Sequence, residues 1–168
     1  MQRILQHRQA YFAVIFAACA ALILFGLYLQ HVKGLEPCPL CVVQRIIFVA
    51  IGAVALLAAL HGARSRAGHI GYGLAISLLA LAGAGVAARH TWIQRFPPPI
   101  QECGADFYFL VDTTALAQLL PAMFNGTGDC AQRAWVFLGL SIAEWALVCF
   151  VLIALATLWR TFSARKPD

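Results

Sequence analysis

Cys38 and Cys41 enclose a Pro-Leu pair at the mouth of an apolar segment. A Cys-x-x-Cys spacing brings two sulfurs within reach of each other and suits redox exchange or metal binding. Pro39 suits the first position of a helix, so Cys38 is expected as the N-cap and Cys41 in the first turn. The amides of a helix N-terminus favour an anion, and a thiolate there is more acidic and more available than that of a free cysteine. Arg45 follows Cys41 by four residues and falls one turn deeper on the same face. A fixed positive charge at the edge of hydrocarbon marks a functional position. Its expected role is to hold a Cys41 thiolate and polarise an electron acceptor beside it; the plainer alternative is an arginine snorkelling to lipid headgroups.

A second pair, Cys103 and Cys130, stands far apart in the one long polar stretch. Their disulfide would close a large Gly-containing loop that can be made and broken without unfolding the rest. A structural staple is the alternative, but a thiolate near a disulfide invites exchange. Zinc is a weaker reading, since structural sites usually take two close ligand pairs, and no resident metal is expected. Cys19 and Cys149 fall inside apolar segments and read as small hydrophobes. His90 and Gln94 are again four residues apart. If helix continues there, they share a face at the depth of Cys41 and Arg45, and both can donate to a carbonyl. Trp145 fits an aromatic belt; Trp135 can also help enclose a ring-shaped ligand.

The elements that must position these groups are membrane helices. Of 168 residues, 62% are hydrophobic and 11% charged, against about 25% charged in an ordinary soluble domain. One soluble core of this length cannot hide so much apolar surface. Spans are expected at about 10–29, 42–60, 70–88 and 142–158, each near the 20 residues that a bilayer requires. The apolar run of the first continues about ten residues past Cys19, longer than a signal-peptide core of about 7–15 residues, so cleavage is not expected. The net charge of +5 is distributed by side and does not indicate nucleic acid. Arg3, Arg8, Arg64, Arg66, Arg160, Arg165 and Lys166 lie with the termini; Lys33, Arg45, Arg89, Arg95 and Arg133 lie opposite, among most of the acids. By the positive-inside rule both termini are expected in the cytoplasm, and the four chemistry-bearing cysteines outside, where disulfides persist.

The expected fold is all-α, one integral membrane domain over residues 1–168 in which four spans form an up-down bundle. Outside loops run over about 30–41 and 90–141. Gly71, Gly73, Gly83 and Gly85 would permit close helix approach in the third span. In the long loop, Pro97, Pro98 and Pro99 impose extended backbone. Leu116, Leu119, Leu120, Met123 and Phe124 then fall at the spacing of a short amphipathic helix in the membrane interface; a turn packed on the top of the bundle is the alternative. Asn125-Gly126-Thr127 matches a glycosylation acceptor but reads as a mobile turn.

Three stretches together, Cys38-Pro-Leu-Cys41-Val-Val-Gln-Arg45, His90-Thr-Trp-Ile-Gln94 and Gly128-Asp-Cys130-Ala-Gln-Arg133-Ala-Trp135, resemble the DsbB family of bacterial inner-membrane disulfide-bond formation proteins. The resemblance covers nearly the whole chain. It implies an enzyme that reoxidises a soluble, periplasmic, thioredoxin-like thiol oxidase of the DsbA kind and passes the electrons to membrane quinone, either ubiquinone or menaquinone. Carried over, Cys103 is attacked by the reduced partner, Cys130 exchanges with Cys38, and Cys41 is released as a thiolate beside the quinone. Arg45, His90 and Gln94 complete the quinone site. Gln44 stands where an acidic residue can occur in the family, which favours the Cys41 thiolate. The alternative in another class is a non-enzymatic four-span scaffold with structural disulfides.

Overall fold

The computed structural model describes residues 2–61, 66–97, 128–131 and 135–163. Cys103, the expected interfacial helix around 116–124, the Asn125 turn, Pro98 and Pro99 lie outside the described residues. Among the described residues there are four α-helices: α1 (Gln2–Lys33), α2 (Pro39–Leu60), α3 (Arg66–Arg95) and α4 (Ile142–Ser163). Each contains a stretch long and apolar enough to cross a membrane: Gln9–Lys33, Pro39–Leu60, Ala67–Arg95 and Ile142–Phe162. Successive helices pack on one another, α3 against α4 most extensively. The fold is therefore an all-α membrane bundle. Its outer surface carries Val14, Leu24, Leu60, Leu78 and Leu152, apolar side chains suited to lipid.

The core joins all four helices through Phe12, Ile15 and Cys19 of α1, Phe48 and Ile51 of α2, Ile76 and Ala80 of α3, and Phe150 of α4. Phe48 and Phe150 stack face to face, with centroids 3.9 Å apart and planes 8° from parallel. Gly83 of α3 makes that stack possible, because a Cβ there would run into the Phe150 ring. Gly73 likewise admits Thr161, whereas Gly71 and Gly85 face open space; only two of the four glycines serve helix approach. Gly83→Ala is expected to lower stability in detergent by about 1–3 kcal/mol, since overpacking displaces a fully buried ring. A thermal unfolding temperature equal to that of the unaltered protein would show that Phe150 has room to shift. A hydroxyl pair strengthens the same seam: Ser77 Oγ lies 2.8 Å from Thr157 Oγ1. Each hydroxyl also bonds a carbonyl of its own helix, the arrangement that suits polar side chains between membrane helices.

Two features extend beyond the apolar stretches read from the sequence. α3 continues through Arg95, so His90 and Gln94 occupy its last turns rather than a loop. A small hairpin precedes α4, with β1 (Val136–Phe137) paired antiparallel to β2 (Leu140–Ser141). Its two turn residues both have left-handed φ, 52° at Leu138 and 81° at Gly139. This is the primed turn that matches strand twist, and glycine is suited to its second position. The end of α1, the start of α2, the end of α3 and the start of α4 thus meet at one end of the bundle.

Candidate functional site

At that end the backbone sets the sulfurs. Cys38 is the N-cap of α2, with extended backbone at φ −66° and ψ 161°, and Pro39 opens the helix. The Cys38 side chain makes no capping hydrogen bond, which leaves its sulfur available to other sulfurs. Cys38 Sγ donates to Cys41 Sγ at 3.0 Å, in the first turn. On its other side it hydrogen-bonds Cys130. Cys130 belongs to a 3-10 turn, Gly128–Ala131, and is fully buried against Leu40 of α2 and Val86 and Ile93 of α3. Those apolar contacts seat the turn on the bundle and bring a sulfur from the long loop to the CxxC. Cys38 therefore stands between Cys41 and Cys130. Its thiol is held above the ordinary range, first by the bond with Cys130, then by that with Cys41, then by burial.

His90 closes the group. Its Nε2 lies 3.6 Å from Cys38 Sγ, and the ring is 1% exposed. Gln44 Nε2 lies 3.1 Å from His90 Nδ1, and His90 also bonds the Cys130 backbone. Gln94 Nε2 lies 3.4 Å from His90 Nε2, one helical turn on. The sulfurs of Cys38 and Cys130 and a ring nitrogen of His90 all fall within 4.8 Å of one another, a set that can also hold a thiophilic metal.

Beside the sulfurs is a cavity of about 880 Å³, within the usual size of small-molecule sites. Cys38, Cys41, Arg45, His90 and Gln94 line it, together with Phe25, Phe48, Trp135, Phe137 and Trp145. Trp135 meets Phe25 edge-on at 5.6 Å and lies nearly parallel to Phe137 at 5.7 Å. Trp145 Nε1 donates to Phe137 O at 3.1 Å, tying the hairpin to α4. The lining thus combines aromatic rings with a few hydrogen-bond donors, the composition expected for an aromatic ligand with polar atoms.

Arg45 is half-buried in this wall. Its Nη1 donates to Gln30 Oε1 at 2.6 Å and its Nη2 to Gly26 O at 3.1 Å, both in α1. A Cβ at Gly26 would sit 3.3 Å from Arg45 Nε, so the absent side chain makes room for the guanidinium. The sequence places Arg45 with Cys41; the structure places both on one cavity, with the arginine fork anchored across to the first helix. Sequence reasoning missed Gln44, Gln30 and Gly26 as partners, because each acts across a helix interface. It assigned Trp145 to an aromatic belt and Cys149 to the apolar core, whereas both also line the cavity.

The family model for Disulfide bond formation protein DsbB matches residues 8–160. The chain is 53% identical over 154 residues to Disulfide bond formation protein B of Aromatoleum aromaticum, covering 92% of each chain. It is 49% identical over 160 residues to the protein of the same description from Azoarcus sp., covering 95% of this chain and 96% of that one. The corresponding protein of Paracidovorax citrulli is 45% identical over 155 residues, 92% of this chain and 87% of its own. With four membrane-length helices around clustered cysteines, and with matches of this extent, the chain belongs to the DsbB family of disulfide bond formation proteins, disulfide-generating oxidoreductases.

Proposed function

We propose that this protein reoxidises a periplasmic, thioredoxin-fold dithiol oxidase of the DsbA kind and delivers the electrons to membrane quinone. The observation that carries the reading is the position of Cys38, between Cys130 on one side and Cys41 on the other, at the rim of an aromatic cavity. Thiol exchange relocates oxidising equivalents without creating them, so a lasting acceptor is required. The cavity supports quinone as that acceptor: its rings suit a flat aromatic head, and Arg45, His90 and Gln94 supply donors for carbonyl oxygens. Bound there, a quinone supplies a two-electron, two-proton sink. The overall balance is one partner dithiol and one quinone giving one partner disulfide and one quinol.

The residues divide the work. Cys103 is the sulfur that the reduced partner attacks, which breaks the Cys103–Cys130 bond and frees Cys130. Cys130 then exchanges with Cys38, breaking the Cys38–Cys41 bond and leaving the electron pair on Cys41 Sγ. The helix N-terminus and the positive charge of Arg45 favour that anion. The partner's second thiol then displaces Cys103 and leaves as the partner disulfide, Cys103 displaces Cys38 to restore the Cys103–Cys130 bond, and re-forming the Cys38–Cys41 disulfide, with two electrons and two protons passing to the acceptor, would reset the site. The charge asymmetry of the loops supports an inner-membrane protein with both termini in the cytoplasm and the cysteines in the periplasm.

Purified protein should oxidise a reduced thioredoxin-fold dithiol only when ubiquinone or menaquinone is present, with one quinone consumed per disulfide formed. Quinone-independent oxidation, or none at all, would overturn the proposal. The close grouping of Cys38, His90 and Cys130 favours one second reading, a soft-metal site. Stoichiometric zinc or copper in protein purified without chelator, with no turnover on quinone, would establish that reading instead.

A further inference from the structure

Ser141 precedes the first residue of α4 and Glu144 stands three positions on, the Ser-x-x-Glu arrangement of a capping box. Both halves are made. Glu144 N–H donates to Ser141 Oγ at 3.3 Å, and Ser141 N–H donates to Glu144 Oε2 at 2.8 Å. A capping box satisfies its own helix, yet here each side chain also reaches α3. Ser141 Oγ donates to Gln94 Oε1 at 2.6 Å. Glu144 Oε1 accepts from Arg95 Nη2 at 2.7 Å and Arg95 Nε at 3.2 Å. Gln94 and Arg95 are consecutive, so the last turn of α3 is clamped to the first turn of α4 by two adjacent side chains.

The clamp acts on the cavity. Gln94 and Ser141 both line it, and the Gln94 carboxamide, held by its oxygen, presents its nitrogen beside His90 Nε2. A glutamine side chain left free would have to be ordered each time a ligand bound, and fixing it beforehand removes that entropy loss. Ser141 and Glu144 are only 1% and 5% exposed, so water competes little for their bonds. The Arg95 side chain is 58% exposed, so its ion pair is screened and its share is the smaller.

We propose that Ser141, supported by Glu144 and Arg95, is a positioning residue for the acceptor site. It sets the Gln94 rotamer, and hence the donor geometry that Gln94 and His90 present to a quinone carbonyl. This inference rests on the quinone reading of the cavity.

The test separates capping from positioning. Ser141→Gly removes the hydroxyl, while glycine at an N-cap weakens a helix by only a few tenths of a kcal/mol relative to serine. It should raise the KM for a short-chain quinone about five- to tenfold, the worth of one buried hydrogen bond. The KM for the reduced thiol partner and the unfolding temperature should stay put. Ser141→Thr, which keeps the hydroxyl, should restore the quinone KM. On a Gln94→Ala background, Ser141→Gly should add nothing, because the two residues act through one bond. An unchanged quinone KM in Ser141→Gly, a parallel rise in both KM values, or additive effects with Gln94→Ala would each overturn the inference. If Ser141→Gly cannot be recovered folded, Glu144→Gln serves. It can keep the Ser141 N–H bond but loses the Arg95 pair, and an expected two- to threefold rise in quinone KM alone is the deciding result; no rise overturns the inference. Quinone-dependent turnover by the unaltered protein is measured first. Its absence defeats the functional reading, whereas its presence with an indifferent Ser141→Gly defeats only the positioning role.

Discussion

Cys41→Ser is expected to reduce quinone-dependent oxidation of the thiol partner at least about a thousandfold, the scale of loss when a reacting nucleophile is removed. The side chain is partly buried in the first turn of α2 and faces the cavity, so the hydroxyl should fit the same space and leave the fold intact. In the proposed relay, what disappears is the only sulfur of the CxxC that exchange with Cys130 would leave free to reduce the acceptor. Cys38→Ser should be equally inactive but differ in its spectrum. It leaves Cys41 without its sulfur partner beside the cavity, so added quinone should produce a visible charge-transfer band that Cys41→Ser does not show. The band arises because a thiolate is a strong donor against an electron-poor ring. Substantial turnover by Cys41→Ser, or equal bands from both variants, would remove Cys41 from its assigned place at the end of the relay.

The parts of this site that lie close together along the chain are legible in the amino-acid sequence itself. Pro39 after Cys38 announces a helix start, and the N-cap falls there. His90 and Gln94 share a face because α3 does not stop where its apolar stretch stops; backbone bonding carries it on to Arg95. The long-range pairings are not legible. Gln44 bonds His90 only because α2 and α3 cross at that depth, and a glutamine in a helix carries no mark of its partner. The hairpin before α4 falls in a stretch that reads as loop. Its only local signal is Leu138-Gly139, and leucine is a poor advertisement for left-handed backbone. Ser141-Ile-Ala-Glu144 is a readable capping box, yet its second bonds, to Gln94 and Arg95, follow from how α3 and α4 are packed. Trp145 shows the same division: an aromatic residue at a membrane boundary has a sufficient explanation in the belt, and only the cavity reveals its other face.

Arg45→Met is expected to raise the quinone KM roughly 10- to 100-fold, the range for losing a charge-assisted hydrogen bond to the ligand. Methionine keeps the apolar stem and removes the fork. Two effects then combine. The positive charge proposed to favour a Cys41 anion and to polarise an acceptor oxygen is gone, and Gln30 Oε1 and Gly26 O lose the donors that fasten α2 to α1 at 2.6 and 3.1 Å. Arg45→Lys separates them, since an ammonium retains the charge but cannot reproduce the planar, two-pronged contact. If charge dominates, lysine restores most of the affinity; if the anchored fork dominates, lysine behaves like methionine. In either case the proposed exchange between Cys130 and Cys38 should proceed normally, because the Arg45 fork is directed to Gln30 and Gly26 of α1. Trapping the Cys38–Cys130 disulfide with quinone withheld measures that step alone. A normal trapping yield with impaired quinone use places Arg45 at the acceptor. A loss of trapping in parallel with turnover would make it a scaffold residue, holding the first two helices in register and nothing more.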